Sequence, residues 1–293
     1  MARRKHSPTS INFVPLRIVV ILVVLVALGV GSMCGSGNKE QAAGEEQLPV
    51  TEEQQPAQSA QTAGKIELPA ALQGVPEQII EHTGFILSFN KELGQPNWVA
   101  WELTAEEAEG TVPRADDFLP DPQVAEAYRV TTADYRGSGY DRGHMCPAAD
   151  MKWSYKAMND CFYMTNICPQ DHSLNAGSWS TLEKACRRWA LREGSVYIAA
   201  GPVFKEGKRH ARIGQEHPVA VPDGFFKVVL SLRKGAEKAI GFYYENNSVK
   251  QPMEQTAMSV DDVETLTGMD FFPALDDDLE NRLEATFKLK EWR

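Results

Sequence analysis

Short apolar runs bounded by Gly, Pro and Asn recur along most of the chain beyond residue 80. Phe85–Asn90 (FILSFN) and 98–103 (WVAWEL) have the length and aromatic content of strands, and Gly94-Gln95-Pro96 predicts a turn between them. Further strands are expected at 161–168, stopped by Pro169, and at 195–200, 225–232 and 239–244, the last two as a hairpin. Residues 113–122 read as a loop holding Arg114 and three Asp. The period changes after the polar loop QDHSLNAGS, where Trp179, Leu182, Cys186, Trp189 and Ala190 recur at helical spacing until Gly194. Ser259 is placed to cap a second short helix through Leu266, stopped by Gly268. Strands with a few inserted helices and no βαβ rhythm predict an α+β fold.

The N-terminus follows a different pattern. Arg3, Arg4, Lys5 and Arg17 precede the charge-free apolar run 18–33, the layout of an export signal or signal-anchor with its basic end on the cytoplasmic side. Cys34 closes the run where a bacterial lipoprotein has its acceptor cysteine, although Met33 stands where a small residue is expected. The stretch 35–75, rich in Gln, Glu, Ala, Gly and Pro, has too little apolar surface to offset its ordering entropy. The expected organisation is a signal peptide or membrane anchor over 1–34, a disordered linker over 35–75 and one domain over 76–293. The location implied is the membrane, periplasm or exterior of a bacterium.

Charge narrows the function. The net value is −10, which argues against a protein that coats nucleic acid by bulk electrostatics but leaves room for an enzyme with a basic cleft. The distribution is uneven: 129–192 carries nine Lys/Arg against six Asp/Glu, whereas 254–284 carries ten Asp/Glu against Arg282 alone. Cys146, Cys161, Cys168 and Cys186 permit two disulfides in an exported domain, or buried thiols; no CxxC pair supports zinc.

The densest polar cluster is GSGYDRGHMCPAAD, residues 137–150. Its glycine spacing fits neither a P-loop nor a dinucleotide fingerprint. His144, beside Arg142 and Asp141, has the chemistry of a general base near neutral pH, or of a hydrogen-bonded structural histidine. Downstream, TNICPQDHSLNAGSWSTLE offers the oxygens of Asn166, Gln170, Asn175 and Glu183. A hard cation needs only one or two protein oxygens because it keeps water. A sparse oxygen site with a histidine suits one-metal phosphodiester hydrolysis, and Arg142, Arg114 and Arg187 are placed to neutralise phosphoryl charge. Spacing alone leaves a plainer reading open. Glu183 would complete a capping box with Ser180 and an ion pair with Arg187, and Asn175 would be a turn residue ahead of Gly177.

DRGH with P..D, a strand into N..PQ, and LN..W..LE...R resembles, in that order, the DNA/RNA non-specific endonucleases, the ββα-metal (His-Me finger) nucleases. The likeness runs over about residues 84–272, taking in SFN...WVAWELT and TGMDFFPAL. It implies a central antiparallel sheet with flanking helices and an enzyme that hydrolyses DNA and RNA with Mg²⁺, Mn²⁺ substituting. It implies His144 as general base, Asn175 as the one direct protein ligand of the metal, and Glu183 as a carboxylate holding water around the ion. Arg142 and Asn166 match positions lining the site, and Arg114 matches a phosphate-stabilising arginine by its place before the motif. The partners implied are DNA and RNA substrates, a membrane through the N-terminal segment, and, as an open alternative, a second copy in a homodimer. The competing function is a non-catalytic, membrane-anchored nucleic-acid-binding protein, which has no need to keep His144, Asn175 and Glu183 together.

Overall fold

The computed structural model describes residues 64–293. The expected anchor at 18–33, Cys34 and most of the expected linker lie outside them. Among the described residues no helix is long and apolar enough to cross a membrane.

The strands in chain order are β1 (Gln78–His82), β2 (Phe85–Asn90), β3 (Gln95–Thr104), β4 (Asp141–His144), β5 (Ile167–Gln170), β6 (Ser195–Val203), β7 (Arg212–Ile213), β8 (Val219–Ala220), β9 (Gly224–Ser231), β10 (Lys238–Glu245) and β11 (Ala257–Met258). The helices are α1 (Ala105–Ala108), α2 (Thr132–Tyr135), α3 (Tyr155–Asp160), α4 (Ser180–Glu193), α5 (Met253–Thr256), α6 (Val260–Thr267) and α7 (Asp277–Glu284). Seven strands form one antiparallel sheet in the order β1-β2-β3-β6-β9-β10-β11, while β4–β5 and β7–β8 are separate two-stranded ribbons.

Helices cover both faces of the large sheet, so its strands read as nearly continuous apolar runs rather than as alternations. Side chains still sort by the period of two. Leu87, Trp101, Ile198, Phe225, Val229 and Phe242 pack toward Leu182, Cys186 and Trp189 of α4. Ile86, Trp98, Ala100, Phe226, Val228 and Leu230 pack toward Val260 and Val263 of α6 and Leu283 of α7. Gly194, at φ 92°, ends α4 and Gly268, in the left-handed region, ends α6, both where the sequence places a stop.

Three expectations change. Residues 161–168 are not one strand: Cys161 follows α3, Met164–Asn166 forms a single tight turn, and β5 begins only at Ile167. β5 then runs through Pro169, which a two-stranded ribbon tolerates because one edge needs no N–H donor. Part of the expected linker packs on the domain: Leu68 is 9% exposed, Ile66 and Leu72 lie against the α6–α7 side of the core, and the Ala70 N–H donates to Asp270 O at 2.8 Å. The few apolar residues of an otherwise polar stretch find a face to cover. Finally, Cys146, Cys161, Cys168 and Cys186 are all free and buried. Burial pushes the Cys161 and Cys186 thiols up to about 12, which makes them packing residues rather than nucleophiles.

Candidate active site

The β4–β5 ribbon pairs Asp141 with Gln170, Arg142 with Pro169, Gly143 with Cys168 and His144 with Ile167, which leaves His144 at the strand end. Glycine is required before it, since a Cβ at Gly143 would come within 2.2 Å of Gln170 Oε1. The backbone after His144 is clamped. Asn166 accepts from the Cys146 N–H through Oδ1 at 2.9 Å and donates from Nδ2 to the carbonyls of Cys146 and Cys161, each at 2.9 Å. Asn166 is 0% exposed and its amide is fully spent, so it braces the site from behind and does not line it, contrary to expectation. Trp179 adds an Nε1–H donation to the His144 carbonyl at 3.3 Å.

The imidazole sits in an aromatic and cationic cage. Its ring centroid lies 5.3 Å from that of Phe118 and 4.9 Å from that of Phe162. The Arg142 guanidinium stands over Phe118 at 4.4 Å and that of Arg114 over Phe162 at 4.9 Å. Arg114, thirty residues before His144 in the chain, is thus brought to the same centre as Arg142 and His144. Burial, then the Arg114 and Arg142 charges, lower the His144 pKa to about 3, so the ring is neutral at physiological pH. Its Nε2 is turned inward without a hydrogen-bond partner among the described residues.

Asn175 lies in a wide π-helical turn, Leu174–Trp179, that leads into α4. Its Nδ2 donates to Asp141 Oδ2 at 2.9 Å. A carboxylate only accepts, so the amide nitrogen must face Asp141 and Oδ1 is turned away from it. The exposed His172 shares the same Asp141 oxygen at 2.9 Å. Asn175, Asp141, Arg142, Tyr140 and Phe118 line one open cleft of about 490 Å³.

Glu183, in the first turn of α4, is half-buried and makes no hydrogen bond or ion pair with any described residue. The plainer reading of it is overturned. Ser180 does not cap α4, which continues the π-turn without a side-chain cap, and Arg187 is taken by Asp150 at 2.6 Å. Burial raises the Glu183 pKa to about 7, against the pull of Lys227, with Asp150 pushing up and Arg187 and Arg114 pulling down. Arg114 therefore acts on both His144 and Glu183, which places all three in one electrostatic neighbourhood.

Sequence reasoning missed the support of this centre. Lys227, 1% exposed in β9, has its ammonium 4.9 Å from the Trp101 ring and 4.6 Å from the Trp179 ring. Trp101 donates to Asp150 Oδ2 at 3.2 Å. The available signal was a lone lysine inside FFKVVL, a run with nowhere to put a charge unless the interior asks for one. Phe118 and Phe162 carried no signal distinguishing them from core.

The Asn175 Oδ1 and the Glu183 carboxylate, which make no hydrogen bond to any described residue, are oxygen donors of the kind a hard divalent cation takes while keeping water. A profile described as DNA/RNA non-specific endonuclease matches residues 63–278. Endonuclease G, mitochondrial, of Homo sapiens is 35% identical over 208 residues, 67% of this chain and 70% of that protein. Nuclease EXOG, mitochondrial, of Xenopus laevis is 35% identical over 69% of this chain and 59% of that protein. Nuclease C1 of Cunninghamella echinulata var. echinulata is 33% identical over 69% of this chain and 86% of that protein. A crystal structure of an EndoG/EndoGI complex contains a chain that superposes with TM-score 0.64 at 30% identity, over 69% of this chain and 89% of that one.

Proposed function

The chain belongs to the DNA/RNA non-specific endonuclease family and is a nuclease of the ββα-metal fold; from that premise we propose that it cuts DNA and RNA with Mg²⁺ held through Asn175 and His144 as general base. The observation that carries this reading is the geometry at the end of β4, where the His144 imidazole packs on Phe118 and Phe162 and the Arg142 and Arg114 guanidinium groups stand over those same two rings. With Nε2 turned inward, Nδ1 is the nitrogen that takes the proton from the water attacking phosphorus. Such general-base catalysis contributes about 10²–10⁴ in rate. Arg142 and Arg114 face the scissile phosphate and offset charge growing on its oxygens. Asp141 holds the Asn175 amide in the orientation that presents Oδ1. Glu183, once ionised, accepts hydrogen bonds from water in the site. Mg²⁺, or Mn²⁺ in its place, supplies Lewis-acid stabilisation of the departing 3′ oxygen.

Loose sequence preference follows from reading the phosphate backbone. The cleft beside Asn175 meets at Tyr140 a second one of about 430 Å³, whose lining includes Lys205, Lys208, Arg209 and His210. Asp223 and Glu245 in the same lining pair with Lys205, Lys208 and His210, so Arg209 is the side chain there whose charge is open to a strand leaving the site. The basic-flanked run 18–33 supports an exported protein, anchored or released.

The test is a plasmid and RNA degradation assay with Mg²⁺, on the wild-type full chain and on His144→Ala, with and without EDTA. Cleavage by the wild type, stopped by EDTA and absent in His144→Ala with substrate binding retained, is expected. An alanine variant as fast as the parent overturns the general-base role.

A further inference from the structure

The acidic segment 254–284 is not absorbed by the nuclease reading, and part of it is built like a ligand set. Asp261 and Glu264 lie three apart on α6, on one face, and Glu284 reaches them from the last position of α7. One carboxylate oxygen from each lies within 4.8 Å of the other two. Exposed acidic clusters are common and need no ligand, but Glu284 is not exposed. It is 6% accessible, and its Oε1 is sealed from solvent with no hydrogen-bond partner among the described residues. Glu280, one turn earlier on α7, likewise has a buried, unpartnered Oε1. Glu264 spends Oε1 on the Phe271 N–H at 2.8 Å, which fixes its carboxylate in place.

No Lys or Arg forms a salt bridge with Asp261, Glu264, Glu280 or Glu284 among the described residues. Buried carboxylates without a cation are costly.

We propose that Asp261, Glu264 and Glu284 form a second divalent-cation site, suited to Ca²⁺, which ties α7 to α6 on the face of the sheet opposite α4. Oxygen ligands sit about 2.3–2.6 Å from Ca²⁺, so two on opposite sides span about 5 Å, which contains the observed spread. Mg²⁺ demands a tighter octahedron and a larger share of water, and an all-carboxylate cluster from two helices suits the more flexible ion. The occupant neutralises the buried Glu284 and joins a helix whose apolar anchor in the core is Leu283. Its role is structural and separate from catalysis.

The test titrates Ca²⁺ calorimetrically into the full chain carrying Asn175→Ala, which removes the proposed catalytic ligand and with it any dependence on the nuclease reading. One equivalent is expected to bind and to raise the thermal midpoint. Adding Glu284→Gln or the exposed change Asp261→Asn is expected to weaken binding at least about tenfold and to remove the calcium-dependent stabilisation. Asp261→Asn keeps the result decisive if the buried substitution fails to fold. Absence of calcium binding in the Asn175→Ala chain, or equal affinity in Asp261→Asn, overturns the site and leaves carboxylates that share protons.

Discussion

The two faces of the seven-stranded sheet each carry a buried apolar core and are used in opposite ways. On the α4 face, charge has been carried into the core: Lys227 between two indoles, Asp150 paired with Arg187, and Glu183 left without a partner. The positive groups there depress His144 and oppose the rise of Glu183. On the α6–α7 face the clustered charge is acidic and, among the described residues, no Lys or Arg forms a salt bridge with Asp261, Glu264, Glu280 or Glu284, so the Glu284 carboxyl rises further. Burial raises the carboxyl on both faces. What separates them is whether the interior supplies an opposite charge, and that decides which carboxylate ionises near neutral pH. A reaction centre needs a group poised to change protonation, and the α4 face holds one in Glu183, at about 7, near a His144 kept neutral.

The largest way to break the contrast is to remove the base. His144→Ala is expected to lower the single-turnover cleavage rate by about 10²–10⁴ while circular dichroism stays that of the parent. The pH profile sharpens it. With His144 down at about 3, the acid limb of kcat/KM near neutral pH belongs to Glu183, at about 7. Glu183→Gln is expected to slow cleavage and to abolish that limb. Lys227→Met, which removes the leading pull on Glu183, is expected to move the limb to higher pH and to recover rate in alkali. An unmoved limb in Lys227→Met would reduce the lysine to packing. Stability runs the other way. The folded Glu183 pKa stands above the ordinary 4.5, so the native state holds the proton longer, and this contribution is lost as pH rises through about 7.

Next in size is the ribbon that aims His144. Gly143→Ala places a Cβ against Gln170 Oε1, and overpacking of this kind costs roughly 1–3 kcal/mol, read in a urea titration. Gln170→Ala in the same chain is expected to restore only part of it, because Oε1 and Cδ are removed while Gln170 Cβ, 2.7 Å from the added methyl, stays.

Much of this architecture was legible from residue order, and the exceptions have a common cause. β2, β6, β9, β10, α4 and α6 appear where hydrophobic period, caps and stop glycines place them, since those signals are local. The strand expected over 161–168 failed because CFYMTNIC is apolar for a tertiary reason: its residues face the core from a turn. His144, Asn175 and Glu183 were identifiable as chemistry, yet spacing alone could not separate a catalytic Glu183 from one paired to Arg187. That choice depends on Asp150, thirty-seven residues from Arg187 and brought to it only by folding. Asn166 shows the converse, a polar residue in the motif whose amide serves the backbone.

The smallest expected effects concern the surface, and they test whether the two faces differ for substrate as they do for protons. Arg209 lines the cleft beyond Tyr140 and makes no hydrogen bond or ion pair with any described residue, so its charge is available to a phosphate. Arg209→Ala is expected to raise KM a few-fold at physiological salt and to reduce the slope of log KM against log salt by about one, the loss of one phosphate contact. It should leave kcat, and the cleavage of oligonucleotides too short to reach past Tyr140, as in the parent. Asp277→Asn with Asp278→Asn changes charge by a larger amount on the exposed start of α7. If substrate runs only along the α4 side, that double change leaves KM within about twofold, because charges more than a Debye length, about 8 Å, from the bound strand are screened. A KM that falls instead would mean that the acidic helix flanks the substrate path and repels it.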